Sequence, residues 1–301
     1  MGSSDSSEDW EDTVFSSAAD ARARLARVGY LADTPTATTV YIATALERAL
    51  LVEGPAGVGK TELAKAIAAC TDAELIRLQC YEGLDESRAL YEWNYKKQLL
   101  RIQAAPRDQA WEQTHNDIFT EEFLLTRPLL SAIRRSGPTV LLVDEIDKTD
   151  VEVEALLLEV LSDFQVTIPE MGTVAATRRP IVVLTSNANR ELSEALKRRC
   201  LYLFIDYPTQ DRERDILLER VPGLERGLAE QVAQAAATLR SLELRKAPSL
   251  AESIDWARTL LVLGVDHLDA AAVATTLGVV LKHAADHTKA IKELDLPAVP
   301  Q

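Results

Sequence analysis

One stretch of sequence decides the fold: Leu50-Leu51-Val52-Glu53-Gly54-Pro55-Ala56-Gly57-Val58-Gly59-Lys60-Thr61. It joins a short apolar strand to the pattern Gly-x-x-x-x-Gly-Lys-Thr, and a helical pattern follows from Glu62. Strand, glycine loop and helix in this order are the context that a phosphate-binding P-loop requires. The glycines let successive backbone N–H groups point inward around anionic oxygens, and the helix adds its positive N-terminal end. A chance glycine turn is the alternative, but the Lys-Thr pair in the correct position argues against it.

The P-loop pattern also assigns individual contacts. Lys60 is expected to reach the β- and γ-phosphates, and the Thr61 hydroxyl is expected to bind Mg²⁺. The full set of residues predicted to bind the nucleotide is Gly54, Pro55, Ala56, Gly57, Val58, Gly59, Lys60, Thr61 and Glu62.

A second segment narrows the class of P-loop protein, because the P-loop alone does not distinguish GTPases, kinases, helicases and AAA+ machines. In Val140-Leu141-Leu142-Val143-Asp144-Glu145-Ile146-Asp147, four apolar residues predict a buried strand of a parallel sheet, and carboxylates follow where it ends. Ligands of open α/β sheets bind at the carboxyl ends of the strands, so these acids should face the phosphates. Asp144 is predicted to hold Mg²⁺, and Glu145 to orient and deprotonate an attacking water. Two solvated acids are the alternative, which suits Asp147 better than the Asp-Glu pair.

Composition sets limits on function and location. The chain has 301 residues, is 47% hydrophobic and carries a formal charge of −14, with 33 basic and 47 acidic residues. This length predicts two domains. The acidic balance argues against nonspecific binding to nucleic acid or to an anionic membrane. The three cysteines are widely spaced, which favours reduced thiols over a metal site or a disulfide. Without a signal sequence or a membrane-spanning run, the expected location is the cytoplasm, with at most peripheral membrane contact.

The domain organisation follows from hydrophobic periodicity. Residues 1–14 are predicted to be a disordered acidic tail, because Ser, Asp and Glu dominate them. Residues 15–206 are predicted to form an α/β domain, a parallel sheet flanked by helices. It carries an insert near 81–120 and a hairpin near 165–179. Residues 207–301 have helical periodicity throughout and predict a smaller all-α lid domain.

Four local predictions concern the bounds of three helical segments and the nature of one loop. Helices are expected at about 38–48 and at 191–199, and a long helical region is expected to start near Tyr81 and to include Trp93. Tyr81-Glu82-Gly83 is either a ring-facing loop that grips a client chain or a plain turn between strand and helix.

Two further segments supply candidate catalytic residues. The strand at 181–184 ends in Thr185-Ser186-Asn187, and the Asn187 amide could touch both the γ-phosphate and the attacking water. A simple turn residue is the alternative. Lys197-Arg198-Arg199 ends a predicted helix. These basic residues either complement the helix dipole or include an arginine finger that acts on a neighbouring subunit.

Taken together, these parts resemble an AAA+ ATPase of the MoxR family, from about Phe15 to Val262. The resemblance is carried by Glu53 to Thr61, Val143 to Asp147, the hairpin around Thr167-Ile168-Pro169-Glu170, and Thr185-Ser186-Asn187. Leu196 to Tyr202 and Pro248-Ser249 to Ile254-Asp255-Trp256 are similar to the branch linked to carbon monoxide dehydrogenase maturation, which is called CoxD-like.

The resemblance implies a ring-forming, usually hexameric ATPase that uses ATP and Mg²⁺ to remodel or activate client proteins. The clients are often metalloenzymes, such as molybdenum/copper enzymes, and a partner with a von Willebrand factor A domain frequently takes part. By position, Asn187 would be sensor 1 and Arg199 the arginine finger, with Arg198 as its rival. One segment departs from the family pattern. Members often have Ser-Pro-Arg at the start of a lid helix, where this chain has Ala247-Pro248-Ser249, so Arg245 and Lys246 are the nearest basic substitutes for sensor 2.

Two other classes compete with a protein remodeller. A nucleic-acid motor is possible within AAA+ rings, but the acidic balance and the lack of a basic or aromatic DNA module argue against it. A small-molecule kinase or a GTPase is a further alternative. The sequence has no Asn-Lys-x-Asp guanine motif, and a water-activating Glu145 would oppose kinase chemistry.

Overall fold

The computed structural model describes residues 14–104, 115 and 117–297. Apart from Val14, the predicted acidic tail therefore lies outside the described residues, as does most of the polar part of the predicted insert. The chain divides into two compact units. The first is formed by the chain up to Glu53 together with Thr61–Phe204, and the second by Gly54–Lys60 together with the chain from Ile205 onward.

The first unit is built on a parallel sheet, as predicted from the sequence, and this sheet has five strands. The strands of this unit are β1 (Ala49–Glu53), β2 (Glu74–Gln79), β3 (Tyr91–Trp93), β4 (Leu124–Thr126), β5 (Thr139–Asp144), β6 (Gln165–Ile168), β7 (Gly172–Ala175), β8 (Ile181–Ser186) and β9 (Cys200–Phe204). Five of them form the sheet in the order β2-β5-β8-β1-β9, and every neighbouring pair is parallel. All six residues of β5 are buried, which explains its unbroken apolar run.

Helices accompany these strands in the first unit. They are α1 (Ala18–Arg27), α2 (Thr34–Ala45), α3 (Lys60–Cys70), α4 (Glu86–Ala89), α5 (Tyr95–Ala104), α6 (Pro128–Arg134), α7 (Val151–Asp163) and α8 (Glu194–Arg199), with short 3-10 turns at Glu121–Phe123 and Ile146–Lys148. The α7 helix ends where Phe164 adopts a left-handed conformation with φ of 49°. The chain then enters the antiparallel hairpin β6–β7, which confirms the predicted hairpin.

Two predicted helix starts were wrong. The α2 helix begins at Thr34, earlier than predicted, because Asp33 accepts a hydrogen bond from the backbone N–H of Thr36 as its N-cap. Pro35 lies in the first turn, where a helix tolerates proline. The α8 helix begins late, at Glu194, because the Ser193 side chain caps it.

The predicted long helical region after Tyr81 was also wrong. It breaks after the short α4, and β3 then pairs antiparallel with β4, which lies some thirty residues further along the chain. Trp93 is buried at the end of β3 and packs edge-on against Phe119, with ring centroids 5.1 Å apart. A local periodicity does not detect this pairing, because the partner strand is remote in sequence.

The described residues of the second unit from Ile205 onward contain helices and no strand, as predicted. The helices are α9 (Gln210–Arg220), α10 (Arg226–Ser241), α11 (Leu250–Val262), α12 (Ala270–Val280) and α13 (Ala284–Glu293). Their core surrounds Trp256, which is fully buried and donates its indole N–H to Thr276 Oγ1 over 2.7 Å. The predicted capping box at the start of α11 is confirmed, because Ser249 and Glu252 exchange backbone-to-side-chain hydrogen bonds.

The cysteines agree with the expectation of reduced thiols. Cys70, Cys80 and Cys200 are free, and burial raises the pKa of both Cys80 and Cys200 to about 12. Among the described residues, no group of three or more His, Cys, Asp or Glu side chains could hold a metal ion. None of the helices found within these ranges is long and apolar enough to cross a membrane.

Candidate nucleotide-binding site

The predicted P-loop runs from the end of β1 to the start of α3 and requires glycine at two positions. Gly54 has φ of +151°, and a Cβ there would lie 1.9 Å from the carbonyl oxygen of Ile205. Gly57 has φ of +74°, and a Cβ there would lie 2.4 Å from Ser249 Oγ. Both positions combine a backbone conformation that favours glycine with a close approach. Gly59 also has positive φ, at 101°.

The Lys60 ammonium lies within the loop. Its Nζ donates to the carbonyl oxygens of Gly54 and Pro55, each over 2.7 Å, and the residue is 7% exposed. A buried ammonium is costly unless it is paired, so these contacts keep the positive charge at the loop. Thr61 follows directly in the chain and belongs to the first unit. Glu62, the last predicted contact, pairs with Lys65 over 2.7 Å.

Within the second unit, the start of α11 contacts the P-loop. The backbone N–H of Ala251 donates to the carbonyl oxygen of Gly57 over 3.1 Å. The backbone N–H groups of Arg245 and Lys246, the basic residues considered for sensor 2, both donate to the Asp286 carboxylate, and the Lys246 ammonium pairs with Glu252 over 3.3 Å. The two backbone hydrogen bonds lower the pKa of Asp286.

Asp144 lies at the carboxyl end of β5 and is 2% exposed. Its Oδ1 accepts hydrogen bonds from the hydroxyls of Thr61, over 3.0 Å, and Thr185, over 2.5 Å. Its Oδ2 accepts from Arg77 Nη2 over 2.5 Å. The buried carboxylate is therefore paired and hydrogen-bonded on both oxygens, as a buried charge must be.

Glu145 follows Asp144 in a left-handed conformation, with φ of 59° and ψ of 48°. A non-glycine residue seldom adopts this conformation, which here turns the chain sharply at the strand end. Its carboxylate accepts from Gln79 Nε2 and Lys148 Nζ, each over 2.8 Å, and from Asn187 Nδ2 over 3.4 Å. The hydrogen bond to Glu145 raises the pKa of Lys148. The predicted base and the predicted sensor amide are thus brought together.

Asp147 is buried, at 5% exposed, so the alternative of a solvated acid does not apply to it. Its carboxylate accepts from the backbone N–H groups of Asn187 and Asn189 and from the Asn189 side-chain amide. These three donors fix the loop after β8, in which Ala188 has φ of 57°. Asp147 therefore supports the Asn187 backbone.

A second buried acid holds the other end of this loop. Glu154, on α7, accepts from the backbone N–H of Ser193 over 2.9 Å and pairs with Arg190 over 2.5 Å. Burial by itself would raise the pKa of Glu154, but the hydrogen bonds from Ser193 and Arg190 outweigh burial and lower it. These two contacts anchor the loop to α7.

The two candidate finger residues end α8 on the exposed surface. Arg199 donates from Nε to Ser162 Oγ over 2.9 Å. Arg198 contributes its backbone carbonyl, which accepts from Arg48 Nη2 over 2.6 Å. The neighbouring Lys197 pairs with Glu191 over 3.1 Å.

Sequence reasoning missed several polar residues of this site: Arg77 and Gln79 on β2, Lys148, and Thr185 as a bridge between strands. A signal existed on β2, because Arg77 and Gln79 are two residues apart and therefore share a face of the strand. This signal points to the site only through the register of β2 and β5, in which Gln79 pairs with Asp144. That register follows only once β2 is known to lie beside β5.

The comparisons with known proteins agree with this geometry. The model of the ATPase family associated with various cellular activities (AAA) matches residues 50–206. "Chaperone protein ClpB 2" of Parasynechococcus marenigrum is 36% identical over 137 residues, which cover 44% of this chain and 13% of that protein. "Chaperone protein ClpB 1" of a Nostoc species is 31% identical over 144 residues, covering 47% of this chain and 14% of that protein. The chain thus spans only a small part of the length of these relatives.

Among solved structures, a mutant of the RuvB protein of Thermotoga maritima superposes with a TM-score of 0.50 at 18% identity, covering 92% of this chain and 77% of that chain. At this identity the likeness is one of fold. The family match, in contrast, covers half of this chain, from β1 to the residues just after β9, and contains the glycine loop, the acidic strand end and the Asn187 strand. The chain belongs to the AAA family and is a nucleotide-binding ATPase.

Proposed function

We propose that this ATPase works as a ring of identical subunits that remodels or activates a protein client, and that it belongs to the CoxD-like branch of the MoxR family. One observation carries the catalytic part of the proposal. The Glu145 carboxylate meets the Asn187 amide beside an Asp144 that is hydrogen-bonded to the P-loop residue Thr61. A base, a polar sensor and an acid linked to the P-loop are the groups that nucleotide hydrolysis needs.

The oxygen atoms at the strand end suit a magnesium ion. Thr61 Oγ1 and Asp144 Oδ1 lie 3.0 Å apart, and a hydroxyl and a carboxylate are the hard donors that Mg²⁺ prefers. Thr61 and Asp144 would hold Mg²⁺, which would neutralise charge that develops on the phosphates. Lys60 adds a positive charge directly before Thr61 in the chain.

Glu145 acts as the general base in this proposal. A carboxylate can orient a water molecule and accept its proton. Asn187 holds Glu145 Oε1 and acts as sensor 1, because its amide can bind both the γ-phosphate and the attacking water. Gln79 and Lys148 hold the other carboxylate oxygen, Oε2.

Arg199 completes the site of the neighbouring subunit as an arginine finger. A guanidinium stabilises the charge of the transition state, and α8 presents two arginines on an exposed surface. Arg198 remains the rival candidate. Its chief contact is made through its backbone, whereas Arg199 is held through its side chain.

The client is proposed to be a protein, in particular a metalloenzyme such as a molybdenum/copper enzyme, reached with the help of a von Willebrand factor A domain partner in the cytoplasm. The chaperone names of the curated relatives support a protein client. The hairpin β6–β7 directly before the Asn187 strand supports the MoxR branch. A nucleic-acid motor is the second candidate, and the net charge of −14 opposes it.

The catalytic proposal is tested with two variants. Glu145→Gln should bind ATP and lose nearly all turnover, because an amide keeps the shape but cannot accept a proton. General-base catalysis is worth about a hundred- to ten-thousand-fold in rate. Lys60→Ala should instead lose tight ATP binding. A Glu145→Gln protein that hydrolyses ATP at the wild-type rate would contradict the role of Glu145.

The ring is tested by nucleotide-dependent assembly. ATP bound at a subunit edge stabilises the oligomer by mass action, so Glu145→Gln with ATP should assemble, most simply as a hexamer. Mass photometry with and without ATP measures this. A protein that stays monomeric at micromolar concentration in both conditions would contradict the proposed ring. Mass spectrometry of the proteins that co-purify with Glu145→Gln in ATP identifies the client. Salt-dependent binding of DNA to this variant would instead favour the nucleic-acid motor.

A further inference from the structure

We infer that Ser162 is a positioning residue for Arg199 and that it directs the guanidinium for its action on the neighbouring subunit. This inference rests on the proposed role of Arg199 as an arginine finger. Ser162 lies in the last turn of α7, one residue before its end, and faces the end of α8. The two residues are 37 positions apart in sequence, so neither helix alone produces the contact.

The Ser162 hydroxyl is oriented as an acceptor. Its single proton is donated to the carbonyl oxygen of Leu158 over 2.5 Å, one turn earlier in α7. A hydroxyl carries one donor and two acceptor lone pairs, so the lone pairs remain for other partners. Arg199 Nε donates to this oxygen over 2.9 Å. The helix backbone therefore fixes the direction in which Ser162 accepts.

The backbone at the end of α8 is fixed independently. Arg48 Nη2 donates to the carbonyl oxygen of Arg198, over 2.6 Å, and to that of Cys200, over 3.2 Å. Cys200 is also paired in register with Ala49 at the start of β1. Arg199 lies between these two anchored residues. Its backbone is therefore held by the sheet, while its side chain is held by Ser162.

This arrangement leaves the two terminal nitrogens of the Arg199 guanidinium available for a ligand. Ser162 engages only Nε, and among the described residues no partner holds the terminal nitrogens of Arg199. Two parallel N–H groups on one edge of a guanidinium bind phosphate oxygens in a fork. Because the side chain is already held, less rotamer freedom is lost when it meets the phosphate of a neighbour. A matching serine contact is absent for the Arg198 side chain within the described residues, which favours Arg199 as the finger.

The first experiment measures steady-state ATPase kinetics of Ser162→Ala. We expect kcat to fall about 3- to 10-fold, equivalent to about 0.6–1.4 kcal/mol, because the guanidinium must be ordered at each turnover. KM for ATP and the thermal midpoint should stay at their wild-type values, since Ser162 is exposed and, among the described residues, its hydrogen bonds are to Leu158 and Arg199 and to none of the predicted nucleotide-binding residues. Ser162→Thr keeps the hydroxyl and should restore kcat.

Ser241→Ala is the matched control. Ser241 ends α10, is exposed and donates to the Thr238 carbonyl oxygen over 2.7 Å, as Ser162 does to Leu158, but it holds no arginine. It should leave kcat unchanged. A Ser162→Ala protein with wild-type kcat, or an equal loss in both alanine variants, would overturn the positioning role.

The Arg199→Ala background separates the inference from the proposed function. If Ser162 acts through Arg199, the double variant Ser162→Ala/Arg199→Ala should be no slower than Arg199→Ala alone. A further loss in the double variant would show that Ser162 acts elsewhere, and it would overturn the inference while the finger stands. If Arg199→Ala keeps full activity, the finger role itself fails and the inference falls with it.

Mixed rings test whether Ser162→Ala lowers activity only when it is placed in the subunit that supplies Arg199. Lys60→Ala subunits cannot bind ATP tightly but should supply fingers to Arg199→Ala subunits, so that activity recovers on mixing. Adding Ser162→Ala to the Lys60→Ala donor should lower the recovered activity by the same 3- to 10-fold. Adding it to the Arg199→Ala acceptor should have no effect. A loss of ATPase activity when Ser162→Ala is placed in the Arg199→Ala subunit would overturn the inference.

Discussion

Replacing Arg77 with methionine tests how the buried acid of the site is held in place. Arg77 Nη2 lies 2.5 Å from Asp144 Oδ2, and the side chain of Asp144 is 3% exposed whereas that of Arg77 is 48% exposed. The other carboxylate oxygen is occupied by two threonine hydroxyls. In Arg77→Met, Oδ2 therefore loses its charged donor while the carboxylate stays buried.

The expected loss follows from this geometry. A hydrogen bond to a charged group contributes about 1.5–3 kcal/mol, and an orphaned buried acceptor costs a similar amount. Because solvent screens the half-exposed Arg77, the expected loss is reduced to about 1–2 kcal/mol. In a unit of 150–250 residues each kcal/mol lowers the thermal midpoint by about 2–4 °C, so the expected shift is about 2–8 °C.

The assay is calorimetric unfolding in low salt, with Arg135→Met as the matched control. Arg135 pairs with Glu74 over 2.6 Å, and the side chains are 42% and 50% exposed. An exposed pair of this kind contributes about 0.2–1 kcal/mol, so the control should shift less. If Asp144 binds Mg²⁺ as proposed, the cation should raise the midpoint of Arg77→Met more than that of the wild type. Equal shifts in both methionine variants would refute the reasoning about burial.

Three other substitutions have direct outcomes. Gly57→Ala should weaken ATP binding at least tenfold in a titration, because its Cβ would lie 2.4 Å from Ser249 Oγ at positive φ; wild-type affinity would contradict the close approach. Thr185→Val should lower the free energy of unfolding in urea by about 1–3 kcal/mol, because Asp144 loses a donor and the backbone N–H of Glu145 loses its acceptor. Thr185→Ser keeps the hydroxyl and should retain most of this stability. Asp147→Asn should lower kcat more than it changes ATP affinity, and a kinetic profile equal to wild type would mean that the loop after β8 needs no carboxylate.

The sequence was most informative where chemistry and local structure coincide. The P-loop needs glycine, lysine and threonine at fixed spacing, and Gly54 and Gly57 occupy the positive-φ positions that this spacing implies. The strand ending in Asp144 was recognisable because both of its faces are buried, so every position before the acid is apolar or a small hydroxyl residue. At these places a few neighbouring residues determine both the conformation and the chemistry.

The sequence was least informative where the structure depends on remote pairing. Arg77 and Asp144 are 67 positions apart, and their contact exists because β2 is the neighbour of β5 in the sheet. The break of the predicted long helix has the same cause, since β3 is stabilised by β4. The burial of Asp147 was missed for a related reason, because its three donors come from the loop after β8. One-dimensional periodicity carries no information on which strands or loops become neighbours.

The α7 helix connects the supports of the proposed sensor Asn187 and the proposed finger Arg199 within the first unit. It starts just after the acids of the strand end, and through Glu154 it anchors the loop that carries Asn187. In its last turn Ser162 holds Arg199, and the chain then passes directly into the hairpin β6–β7. Glu154 and Ser162 lie on the same helix, so a displacement of α7 would move the supports of both the sensor and the finger. In the proposed ring, such a displacement would alter hydrolysis in one subunit through Asn187 and in the neighbouring subunit through Arg199.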